Sequence, residues 1–142
     1  HNMTTEDVQN QIIEEFQLFD EWMDKYEYII ELGNNLEPYD EQNKTKSNLI
    51  QGCQSRVWLN AEMEEGKVFF SADSDAVITK GIIALLIRVY SGRSPREITD
   101  SNLFFIDKIG LKENLSPTRA NGLVSMVKNI KAYGLAFLSK TE

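Results

Sequence analysis

The sequence predicts an α+β fold, a single domain in which a small antiparallel β-sheet packs against helices. Three observations carry this. Apolar residues recur every three or four positions up to Gly33 and again after Asp75, which is the helical period. Between Val57 and Met63 they alternate singly, which is the strand period. The resulting order is helices, hairpin, helices, without the strand–helix alternation of a parallel sheet. A chain of 142 residues, 42% hydrophobic and 26% charged, suits one globular domain with its own core. The domain is expected over residues 4–142, and His1-Asn2 ahead of Met3 is read as an expression remnant.

Each element has a local cause. Thr4 and Thr5 ahead of Glu6 and Asp7 mark a helix start, with hydroxyls to cap and acids in the first turn. Val8, Ile12, Phe16, Phe19, Met23, Tyr26 and Ile30 then form one apolar stripe that stops at Gly33. The stripe is long for one helix, so a break is expected near Phe19 and Asp20, with Asp20 capping the second helix. Residues 34–48, polar and carrying Pro38, read as an exposed loop. A strand begins near Ile50 or Ser55, turns at Glu64-Glu65-Gly66 and returns over 67–72. A lone hairpin is marginal in water, so it must pack against helices, with a third strand as an open expectation. Asp73-Ser74-Asp75 offers a cap for a helix over 77–90, apolar on nearly all sides and therefore central. Gly92 ends it. Ser94-Pro95-Arg96-Glu97 is a capping box opening a short helix. Another short helix is expected over 103–109, stopping at Gly110. Ser116-Pro117 opens the last helix, with Leu123, Val127, Ile130 and Phe137 on one face.

The inventory narrows the chemistry. A formal charge of -7 repels phosphate backbones, so no nucleic-acid partner is expected. No apolar run approaches the ~20 residues that span a bilayer, and no signal peptide opens the chain, so no membrane role is expected. One cysteine fits a reducing compartment, and the cytoplasm is expected. The single histidine is His1, which leaves no imidazole base for a thiol or serine hydrolase. One thiol cannot supply a structural zinc site or an iron–sulfur cluster, and no glycine-rich phosphate loop is present. Neither a metal nor a resident cofactor is expected.

What remains is Cys53, in Gly52-Cys53-Gln54-Ser55-Arg56-Val57-Trp58-Leu59. The thiol stands at the polar doorstep of an apolar strand. Gly52 gives the backbone room for a sharp loop. Gln54 and Ser55 can hydrogen-bond around it. Arg56 could lower the thiol pKa or hold the loop against an acidic neighbour. A thiol without a conventional base points to accepting or passing a group on sulfur. The residues alone also allow a small buried, unreactive cysteine, and they favour Arg56 as an exposed strand residue over a catalytic one. Asp73 and Asp75 read either as an acidic loop near Cys53 that meets a partner or as plain helix caps. Arg119 lies in the first turn of the last helix, where the dipole disfavours a cation. It should have a partner, an acid on the hairpin side, in a structural salt bridge or at a substrate site.

Gly52-Cys53-Gln54-Ser55-x-Val57-Trp58 resembles the active segment of SufE-type sulfur-acceptor proteins of iron–sulfur cluster assembly. Three more segments match in order and spacing: Tyr26-x-Tyr28-Ile29-Ile30-Glu31-Leu32-Gly33; Asp73-Ser74-Asp75-Ala76 with Lys80-Gly81; and Leu115-Ser116-Pro117-Thr118-Arg119-x-x-Gly122-Leu123. The resemblance covers nearly the whole chain from about Thr5. It implies the α+β fold shared with IscU-type scaffolds, though the further cysteines of such a scaffold are absent here. It implies that a pyridoxal-phosphate cysteine desulfurase of the SufS or CsdA type is the partner, and that the pyridoxal phosphate belongs to that partner. By this match Cys53 takes persulfide sulfur from the desulfurase, stimulates its turnover, and relays the sulfur to an Fe–S scaffold. The chain would then be no enzyme in its own right. Gly52, Gln54, Ser55 and Arg56 would form the supporting loop, with Asp73, Asp75 and Arg119 as partner or loop contacts. Homodimerisation stays open.

Two other readings compete. A peroxide-reactive thiol or redox sensor would use Cys53 without a resolving cysteine. An interaction module would carry an inert one. A cysteine phosphatase would want an arginine six residues on, where Leu59 stands.

Overall fold

The structure, a computed structural model, describes residues 3–141. His1 and Asn2, read above as a remnant, lie outside the described residues. Helix α1 (Thr5–Phe16) starts from a full capping box: Thr4 Oγ1 accepts from the Asp7 N–H, and the Asp7 carboxylate accepts from the Thr4 N–H. Helix α2 (Trp22–Asn34) follows after the expected break. Its N-cap is Glu21, without a side-chain cap, so Asp20 does not play the predicted part.

The 34–48 segment is less featureless than expected. Two 3-10 turns, Glu41–Asn43 and Lys46–Asn48, are opened by Asp40 and Thr45, whose side chains accept from backbone N–H groups ahead. Strands β1 (Val57–Glu64) and β2 (Lys67–Ser74) then pair antiparallel, with Glu64 opposite Lys67. The connection is two residues, Glu65 at φ 51 and Gly66 at φ 79, the positive-φ pair that matches strand twist. No third strand forms among the described residues. Only single bridges, Leu49 to Trp58 and Val68 to Arg93, flank the pair.

Helix α3 (Val77–Tyr90) lies at the centre, with Ile78, Ile82, Ile83, Leu85, Leu86 and Val89 buried. Helix α4 (Pro95–Asp100) has the predicted Ser94–Glu97 capping box. The predicted 103–109 helix is the shorter α5 (Phe105–Lys108). After Gly110, at φ 76, an unpredicted turn of helix α6 (Leu111–Asn114) intervenes before α7 (Pro117–Thr141). Buried side chains from α1 to α7 and from both strands form one apolar cluster. One inner face of the hairpin, Val57, Leu59, Val68, Phe70 and Ala72, joins it. The architecture is the expected α+β arrangement of a hairpin against helices.

Candidate functional site

The loop between Ile50 and Val57 is closed at its base. The Ile50 N–H donates to the Val57 carbonyl at 2.8 Å, directly beside the Leu49–Trp58 bridge. Gly52 adopts φ 90, a left-handed conformation that an L side chain rarely takes. That turn aims Cys53 inward, against the first turns of α7. The thiol is half-buried, and Sγ lies 3.7 Å from the Gly122 carbonyl, a weak S–H donation. Beside it is a narrow cavity of about 60 Å³. Thr79, Ile82 and Met126 line its inner side, and Gln54, Thr118 and Arg119 line its mouth.

Burial pushes the Cys53 thiol above its usual range. Arg56 is not among the causes of this shift. Its side chain is exposed, and its backbone is what holds the loop. The Arg56 N–H donates to Asp75 Oδ1 at 3.0 Å, and its carbonyl accepts from Ser74 Oγ at 2.8 Å and from the Asp75 N–H at 3.2 Å. An acidic neighbour does hold the loop, but through the main chain.

This clasp also overturns the helix-capping reading of Asp73-Ser74-Asp75. The cap of α3 is Ala76, with no side-chain cap bond. Asp73 lies between Lys44 at 3.1 Å and Lys80 at 3.3 Å. Burial would raise its pKa, but the two ammonium groups and the Ser74 N–H outweigh it and hold the carboxyl below its usual range. Lys44 also reaches Glu41 at 2.7 Å and sits 5.1 Å from the centre of the Trp58 ring. Asp73 thus ties the 3-10 segment to the sheet behind the Cys53 loop.

Arg119 is exposed at the mouth. Among the described residues it forms no ion pair, against the expectation of an acid on the hairpin side. Its guanidinium points instead to the Tyr26 hydroxyl on α2, at 3.4 Å. The structure therefore brings Cys53, Gln54, Ser55 and Arg119 to one opening, with Gly52 turning the chain just before it, Arg56 and Asp75 at the loop base and Asp73 behind. Tyr26, Thr79, Gly122, Ser125 and Met126 were not singled out as site residues. Gly122 stood in a matched segment without a role, and its carbonyl is what the Cys53 Sγ faces. Among the described residues no three His, Cys, Asp or Glu side chains converge to hold a metal ion, and no helix is long and apolar enough to cross a membrane.

Comparisons with known proteins place the chain in a family. The SufE family model, described as an Fe-S metabolism associated domain, matches residues 10–134. An uncharacterized SufE-like protein of Rhizobium meliloti is 44% identical over 128 residues, covering 87% of this chain and 91% of that protein. One from Synechocystis sp. is 40% identical over 126 residues, covering 89% and 79%. SufE-like protein 1, chloroplastic/mitochondrial, of Arabidopsis thaliana is 42% identical over 133 residues, 93% of this chain but 36% of that longer protein. The solution structure of a hypothetical protein from Thermus thermophilus superposes with a TM-score of 0.76 over 93% of this chain and 96% of that one, at 22% identity. That likeness speaks for the fold alone. The match over most of the chain, together with the relatives at 40–44% identity, shows that this chain belongs to the SufE family of Fe–S metabolism associated domains.

Proposed function

We propose that the chain accepts sulfur on Cys53 from a cysteine desulfurase and carries it as a persulfide to an Fe–S scaffold. The observation that carries this reading is the placement of the chain's sole thiol. It sits on a loop closed at its base, seated on α7 beside a small cavity, in a SufE-family chain. Family membership supports a part in Fe–S metabolism.

In the transfer step the Cys53 thiolate attacks the outer sulfur of the desulfurase persulfide. A new S–S bond forms on Sγ, the bond between the donor's two sulfurs breaks, and the donor cysteine leaves as a thiolate. No net oxidation occurs, so the acceptor needs no oxidant, metal or cofactor. The pyridoxal phosphate is the partner's. Burial favours the neutral form of the resting thiol. Docking that draws Cys53 out of its seat would relieve this burial and favour the thiolate, which is the nucleophilic form. The chain itself has no turnover, and it works in a reducing compartment, the cytoplasm.

The test is incubation with a desulfurase and free cysteine. Cys53→Ser should fold normally, still dock, gain no sulfur and fail to stimulate the desulfurase. Undiminished stimulation by that variant would refute the acceptor role. Oxygen adducts formed with peroxide alone, without sulfur gain, would favour the redox-sensor reading.

A further inference from the structure

We propose, resting on the acceptor reading, that Gly122 and Ser125 on α7 form the seat that sets how often the Cys53 thiol is presented, and that Ser125 is a positioning residue for the transfer. Two consecutive loop residues sit on two neighbouring helix positions. A Cβ at Gly52 would lie 2.5 Å from Ser125 Oγ and 3.5 Å from Ser125 Cβ, so the serine already fills the space that any side chain at 52 would need. A Cβ at Gly122 would lie 3.4 Å from Cys53 Sγ and 3.9 Å from its Cα and Cβ. Positions 122 and 125 are one helical turn apart and share a face. The seat is therefore a notch made by a missing side chain and a short one.

The hold of the loop tip on this notch is slight. Among the described residues, its only hydrogen bond to α7 is the weak one from Sγ to the Gly122 carbonyl. Stronger bonds lie at the base, at Ile50–Val57 and Arg56–Asp75, and they do not oppose lifting of the tip. The seated state depends on shape at 122 and 125, whereas a lifted tip does not touch them. Bulk at 125 raises the energy of the seated state alone and shifts the population toward presentation.

The rate of Cys53 alkylation by iodoacetamide, at one fixed pH and beside the thermal midpoint, tests this. Ser125→Leu should accelerate alkylation by roughly tenfold or more without a parallel loss of midpoint. Ser125→Ala, which keeps the notch, should stay within about twofold of the parent. Gly52→Ala should also accelerate alkylation, and adding Ser125→Gly should reverse part of that gain by removing the 2.5 Å contact. This pair keeps the test decisive should Ser125→Leu fail to fold. A folded Ser125→Leu with unchanged alkylation, or strictly multiplicative effects at 52 and 125, overturns the seat. Desulfurase stimulation on the same variants separates the two readings. Altered alkylation with no stimulation by any variant, the parent included, would leave the seat standing and remove the acceptor role.

Discussion

Asp75 is an exposed carboxylate whose work is to hold a main-chain amide. Its bond to the Arg56 N–H fixes one end of the Cys53 loop. Water competes for an exposed carboxylate, so the net contribution of this one bond to stability is small. Asp75→Arg should therefore lower the thermal midpoint only slightly while changing desulfurase docking or loop release clearly. A large fall in midpoint with unchanged docking would contradict this. Cys53 gives a second residue-scale expectation. Because burial raises its folded pKa, the alkylation rate should keep climbing at pH values where an ordinary thiol has levelled off. In Ser125→Leu the profile should shift back toward that of a free thiol; a profile identical in both proteins would contradict burial as the cause. The thiol itself was legible because it has no competitor in the chain. The duties of Asp73, Asp75 and Arg119 were not. An Asp-Ser-Asp run before a helix is locally a cap, and only the tertiary placement of Lys44, Lys80 and the Arg56 backbone recruits it elsewhere. Arg119 was expected to find a charge, and Tyr26 was invisible to that logic because it lies 93 positions away.

Among the elements, the crossing of α2 and α3 decides how the site is supported. Gly33 was read as a helix stop, yet α2 runs one residue further, and the glycine serves close approach instead. A Cβ at Gly33 would lie 2.6 Å from the Gly81 nitrogen, and one at Gly81 would strike the Ile29 carbonyl and lie 2.6 Å from Ile29 Cγ2. Backbone meets backbone there, and neither helix can yield without moving the core. Gly81→Ala should cost at least about 2 kcal/mol in urea unfolding. A loss within experimental error would show that the helices are free to separate. Periodicity revealed the helices and the hairpin because those signals are local. The third strand failed because pairing beyond β1 and β2 shrinks to one bridge on each side. Helix α6 was missed because one turn holds too few residues to show a period.

For the whole molecule, three helices are tied by one ionic group. Arg88 on α3 pairs with Glu15 on α1 and also reaches Gln11, while Tyr28 on α2 donates to Glu15 Oε1 at 2.6 Å. The hydrogen bond from Arg88, reinforced by that from Tyr28, holds the Glu15 carboxyl below its usual range against the opposing effect of burial. A depressed folded pKa gives stability that is present above the unfolded pKa and lost as pH falls through the folded one. The stability of the parent should therefore fall with acid below about pH 5 more steeply than that of Glu15→Gln. Equal slopes would remove Glu15 from the acid response. The central claim concerns the sulfur atom, and mass spectrometry of the chain after reaction with a desulfurase and free cysteine tests it most directly. One added sulfur, borne by Cys53 and released by a thiol reductant, is the predicted result; an unmodified Cys53 beside a working, docked desulfurase would contradict it.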